Sequence, residues 1–171
     1  MLFRWLVSGR TEQMPSASDE LRVLVAEAMP GADAQAAAVV GAVAGLCAVV
    51  AYADRAYTPA EQIAVRELLA RVHGLPDNAS AGICALLEKH IVELAHESIQ
   101  TFTRVLYECT EKRARLEVLD VLVDLAAADE VLSTEETNLL RRIAGSLGLS
   151  DQDYVASQTR HRERLSVLHA P

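Results

Sequence analysis

The sequence predicts an all-α domain, a bundle of about seven to eight helices, and three observations carry that expectation. First, the composition is 51% hydrophobic but only 4% aromatic, with 28 alanines against 8 glycines and 5 prolines among 171 residues. Alanine favours helix, whereas a β-sandwich or barrel needs β-branched and aromatic strands separated by turns. Second, no segment alternates apolar and polar residues over the length of a strand. Third, apolar residues recur at helical spacing behind residues that start helices.

Taken in order, residues 1–17 form an N-terminal amphipathic docking segment. The opening MLFRWLVSGR places Leu2, Phe3, Trp5, Leu6 and Val7 beside Arg4 and Arg10. It is too short for a signal-peptide core and lacks a cleavage pattern. It is expected to dock on the body, with a membrane interface as the alternative. Ser18 is expected to start a helix that ends near Met29, before Pro30-Gly31, and Asp33 to cap a long one through Tyr52. Residues 36–53 carry no charge and place Gly41 and Gly45 at GxxxG spacing. Their Ala, Gly and Val content predicts a buried central helix packed through small residues and not a membrane span.

Thr58-Pro59-Ala60-Glu61 is a capping box with proline at the first helical position. Val65, Leu68, Leu69 and Val72 follow at i, i+3, i+4, i+7 up to Gly74. After the Pro76-Asp77-Asn78 turn, helical pattern covers 79–97 and 99–107, and Thr110 is expected to cap a helix through Ala128. Ser133-Thr134-Glu135-Glu136 makes a second capping box, and Ser150 starts a last helix. The domain thus spans 18–165, and 166–171 is a tail.

With 16 basic and 24 acidic residues the net charge is -8, which removes the basic footprint that nucleic acid requires. Cys47, Cys84 and Cys109 are odd in number, widely spaced and set in apolar helical contexts, so neither a disulfide framework nor a zinc cluster is expected. The setting they suggest is cytoplasmic, with inner-membrane association through the N-terminal segment as the alternative.

Shifting the sequence by 75 positions superposes Asp54 on Asp129, Thr58 on Ser133, Glu61 on Glu136 and Arg66 on Arg141. Val43, Cys47, Val50, Val65 and Leu69 likewise fall on Val118, Leu122, Leu125, Leu140 and Ala144. The bundle is therefore expected to contain two pseudo-symmetric α-hairpins packed on each other.

The segments AYADRAYTPAEQIAVRELLARVHGL and LAAADEVLSTEETNLLRRIAGSLGLSDQDY resemble the two signature segments of the TerB-like family of bacterial tellurite-resistance and stress proteins. A related domain opens the membrane-anchored DnaJ-like co-chaperone DjlA. The resemblance covers about 18–165 and implies an all-helical, two-repeat fold. It also implies a non-enzymatic binding module that acts through protein contacts, with acidic residues suspected of holding a divalent cation. Members often show glycine after the aspartate where this chain has Arg55 and Glu130, so a tight glycine turn is not carried over. No His-Pro-Asp occurs, and J-domain activity does not carry over either.

Asp54, Glu61, Asp129 and Glu136 are the candidate metal ligands. If the hairpins face each other, four carboxylates could converge on calcium or magnesium, which want oxygen ligands. The competing assignment makes each Glu the third residue of a capping box and each Asp a turn former. Glu93-x-x-His96 has the spacing of a di-iron ligand pair but lacks a second copy, so His90, Glu93, His96 and Glu97 are expected to form a solvated polar face. Arg141, Arg142, Arg160, His161, Arg162 and Arg164 are expected to sit late in their helices, in water. No GxSxG, phosphate loop, HExxH or CxxC is present, and no catalytic residue or bound cofactor is expected. A metal-dependent enzyme built on the four acids and a membrane-peripheral scaffold are the alternatives.

Overall fold

In the computed structural model, residues 16–70, 75–129 and 132–168 are described, except for the side chains of 129 and 163–168. They form eight α-helices and one short 3-10 turn, with no strand among them. The segment 1–15, the expected helix positions Val72 and Gly74, and the Arg164 side chain lie outside the described residues.

The helix starts follow from local hydrogen bonds. In α1 (Ala17–Ala28) the cap is Ser16, whose hydroxyl accepts from the Asp19 N–H, and not Ser18. Ser18 falls inside the first turn, where its own N–H donates to Glu97 across the bundle at 3.2 Å. Asp33 caps α2 (Ala34–Ala51) by accepting from the Ala36 N–H at 2.6 Å. Next come α3 (Pro59–Ala70), α4 (Asp77–His96) and α5 (Ile99–Cys109). Thr110 does not start the following helix: its hydroxyl donates back to the Leu106 carbonyl and closes α5. Helix α6 (Lys112–Ala126) begins at Glu111 without a side-chain cap and ends two residues before Ala128, in the 3-10 turn Ala127–Asp129.

Helix α7 (Thr134–Ser146) ends in a Schellman motif, with the Gly148 N–H donating to Gly145 and the Leu149 N–H to Ala144, both at 3.0 Å. Gly148 has φ +70, the left-handed conformation this motif requires. Helix α8 (Asp151–Leu168) opens with a third reciprocal cap, in which Ser150 and Asp153 exchange hydrogen bonds at 2.9 and 3.2 Å. The Ser150 N–H, with help from the Lys112 ammonium at 3.0 Å, holds the Asp153 carboxyl at about 2, below its ordinary 3.8. Because the folded value is depressed, the stabilisation is present above pH 3.8 and lost as pH falls through about 2. The start of α8 is therefore expected to loosen only in strong acid. An acid melt of Asp153→Asn should lack that step, and an identical melt contradicts it.

Helix α2 is the axis of the bundle, touching α1, α3, α4, α5, α6 and α7. Ala44, Leu46, Cys47, Val50 and Ala51 are fully buried along it. By length and composition it could cross a membrane, but 61% of it is buried inside the protein, where its apolar surface faces side chains. The small-residue stripe does not act uniformly. Gly45 lies against the Phe102 ring of α5, whereas the nearest atom to a Cβ at Gly41 would be the Arg22 Cα, 4.0 Å away. Burial pushes the Cys47 thiol up to about 12, which makes it an inert core side chain.

The two hairpins, α2–α3 and α6–α7, are in contact: α2 touches α6 and α7, and α3 touches α6. Cys47, Val50, Val65 and Leu69 are buried, as are Leu122, Leu125, Leu140 and Ala144.

Two polar clusters differ from the solvated faces expected. His90 is only 13% exposed: its Nδ1 lies 2.8 Å from Glu93, and its Nε2 lies 3.3 Å from Glu20 of α1, off hydrogen-bond alignment. With the Ser18–Glu97 bond, this places His90 and Glu97 on the α1–α4 seam, while His96 turns back to the Val92 carbonyl. On α8, Arg160 is held by Asp120 of α6 through Nε at 3.0 Å and Nη2 at 2.6 Å, and His161 by Asp124 at 2.6 Å. These two side chains meet neighbouring carboxylates because α8 lies along α6. A helix-end role in water is not what the fold assigns to them.

Candidate functional site

At the first hairpin corner Glu61 is only 4% exposed. Its Oε2 accepts from the Thr58 N–H at 2.8 Å and the Thr58 hydroxyl at 3.0 Å, while the Glu61 N–H donates to that hydroxyl at 3.2 Å. The second corner repeats this: Glu136 Oε2 accepts from the Ser133 N–H at 2.7 Å, and the Glu136 N–H donates to the Ser133 hydroxyl at 3.1 Å. Asp54 is exposed and accepts from the Ala56 N–H at 2.9 Å, a side-chain turn. The Asp129 side chain lies outside the described residues. Among the described residues no three His, Cys, Asp or Glu side chains gather so as to hold a metal ion. The described geometry thus uses both glutamates as caps and does not itself build a cation site.

What the fold does build is a groove between α3 and α6, floored by α2. It encloses about 490 Å3. Val43, Ala64, Leu68, Val118, Val121 and Leu125 supply the apolar lining, and Glu67, Glu117 and Asp124 bring negative charge to it. The sequence reading missed this groove, although Val43 and Val118 are equivalent positions in the 75-residue repeat. Both are half-buried in the structure, but the repeat alone does not say that their helices leave a gap between them. A wider cleft of about 1040 Å3 lies at the C-terminal end of α2, where Arg55, His96 and Arg142 mix with Glu97 and Glu135. Its charges are of both signs.

A family model described as tellurite resistance protein TerB matches residues 41–159, which holds both capped corners and the whole groove. The chain belongs to the TerB family. No curated protein and no solved structure matches it.

The first corner shows how this TerB chain handles the position after Asp54. Arg55 has φ +69, left-handed, and its N–H donates to the Tyr52 carbonyl at 3.0 Å. The tight turn therefore survives without glycine, contrary to expectation, because the flanking α2 end and Asp54 hold it. A side chain in this conformation costs roughly 1–2 kcal/mol. Arg55→Gly is accordingly expected to stabilise the fold by up to about 1 kcal/mol, once the greater freedom of glycine in the unfolded chain is subtracted, and so to raise the melting temperature. A lower melting temperature for Arg55→Gly would show that Arg55 makes contacts worth more than its strain.

The thiols offer no nucleophile in the groove. Burial raises the Cys84 thiol above its usual range, partly offset by Arg66, and burial likewise raises the Tyr57 phenol.

Proposed function

We propose that this TerB-family chain is a non-enzymatic binding module of a tellurite-resistance-type stress response, acting through protein contacts at the α3–α6 groove. The observation that supports it is the character of that groove. Its floor is aliphatic and its titratable lining is limited to carboxylates, which suits a contact surface and supplies no thiol, hydroxyl or imidazole and no cation for an anionic substrate.

The test is a tellurite challenge of the native host lacking this chain, complemented with wild type, Val118→Asp, or the thiol pair Cys84→Ser/Cys109→Ser. Wild type and the thiol variant are expected to protect and Val118→Asp to fail, with the folded fraction of each checked by circular dichroism. Protection that survives Val118→Asp but is lost with the thiols would move the reading to an enzyme.

The cation part of the reading rests on the four corner acids. Millimolar calcium or magnesium is expected to raise the melting temperature, and Asp54→Asn with Asp129→Asn to abolish the rise. A melt unmoved by either ion leaves Asp54, Glu61, Asp129 and Glu136 as turn and cap residues only.

A further inference from the structure

We propose that the α3–α6 groove is occupied in the free protein by the chain's own N-terminal segment, residues 2–10, with Trp5 and its apolar neighbours on the floor and Arg4 and Arg10 against the carboxylates. The inference deepens the functional reading above and rests on the groove being a surface for protein. Three features select this occupant. The groove pairs an apolar floor with Glu67, with Glu117, which also meets the exposed Arg113 at 3.3 Å, and with Asp124, which also meets His161 at 2.6 Å, and its lining carries no basic residue, so it favours a segment that is both apolar and basic. Residues 2–10 have that character: Leu2, Phe3, Trp5, Leu6 and Val7 with Arg4 and Arg10, and no acid. The reach is sufficient, since the 15 residues before Ser16 span up to about 50 Å when extended, whereas an 18-residue helix such as α2 is about 27 Å long.

Charge also disfavours the competing occupants. A second copy would bring a chain of net charge -8 to an acidic rim, and an anionic membrane would meet the same carboxylates. About 490 Å3 is room for bulky side chains of the size of Trp5 and Leu6. The chemistry is that of an intramolecular ligand: binding is favoured by the tether, and a partner acting through this surface must displace it.

Trp5 is the sole tryptophan and reports directly on the docking. In the full chain without lipid its emission is expected to be blue-shifted and weakly quenched by acrylamide, independent of protein concentration. Val118→Asp should shift the emission to the red and raise quenching several-fold while the helical circular dichroism is retained. Val155→Arg, on the exposed face of α8, should leave both unchanged. A charge exchange guards against misfolding: Glu67→Lys/Glu117→Lys should expose Trp5, and adding Arg4→Glu/Arg10→Glu should restore the blue shift.

Water-like emission in wild type overturns the proposal. So does a blue shift that appears only with vesicles containing phosphatidylglycerol, one that grows with protein concentration, or one that ignores both sets of groove variants. If the fluorescence ignores the groove while the tellurite challenge requires Val118, the internal occupant is lost and the contact-surface reading stands.

Discussion

Gly45→Ala is expected to destabilise the fold by about 2 kcal/mol net, lowering the melting temperature by roughly 4–8 °C. A Cβ at Gly45 would lie 2.2, 2.5 and 2.6 Å from three atoms of the Phe102 ring, all well inside contact distance. Phe102 is 4% exposed between α2 and α5, so the ring has little space to yield and either the helices separate or the side chain leaves its rotamer. Overpacking of this kind costs about 1–3 kcal/mol or more, and the better helix propensity of alanine returns only about 1. Gly41, four residues earlier, meets only an ordinary contact. Gly41→Ala is therefore expected to be stabilising, by about 0.5–1 kcal/mol. The opposite signs make the pair diagnostic, and Phe102→Leu should rescue Gly45→Ala. Thermal melts in which Gly45→Ala equals or exceeds wild type would refute the close α2–α5 approach.

The second large effect concerns the α6–α8 seam. Asp120→Ala is expected to cost about 2–3 kcal/mol, measured by urea denaturation. The larger share comes from Ser157: the residue is fully buried, and its hydroxyl donates to Asp120 Oδ1 at 2.5 Å. Stranding a buried hydroxyl costs about 1–3 kcal/mol. The Arg160 pair adds less despite its bidentate geometry, because the arginine is 43% exposed and water screens it. Two consequences separate these contributions. Arg160→Ala should cost about 1 kcal/mol at most. Asp120→Ala combined with Ser157→Ala should be milder than the sum of the two single changes, because no orphaned hydroxyl remains. If Arg160→Ala costs as much as Asp120→Ala, the seam is held by charge and not by satisfaction of the buried hydroxyl.

Much of the fold was legible because it is encoded locally. The Thr58 and Ser133 boxes need only residues three apart, and both close as their spacing predicts. The Asp33 cap and the central, mostly buried α2 helix follow from the same short-range logic plus composition. Where local patterns compete, the sequence is a poorer guide. Ser18 was the expected cap, yet the Ser16 hydroxyl takes the Asp19 N–H, and Ser18 sits in the first turn with its N–H on Glu97, 79 residues away. Thr110 looked like a start and is a stop, because its hydroxyl finds the Leu106 carbonyl one turn back.

The site divides in the same way. As caps and turn residues, Glu61, Glu136 and Asp54 could be read from spacing, since their partners lie within three residues along the chain. The groove could not, because Leu68 and Val118 belong to helices that meet only once both have packed on α2. Arg160 and His161, expected in water, are likewise partners of Asp120 and Asp124, 40 and 37 residues earlier. Hydrogen bonds and apolar periodicity act within one or two turns of helix, so the sequence alone determined the helical class of the fold and the two capped corners, though not every helix end. Which helix face meets which depends on the summed burial of the whole chain around α2. Only the tertiary structure therefore decided the groove, the α6–α8 seam and the contrast between Gly41 and Gly45.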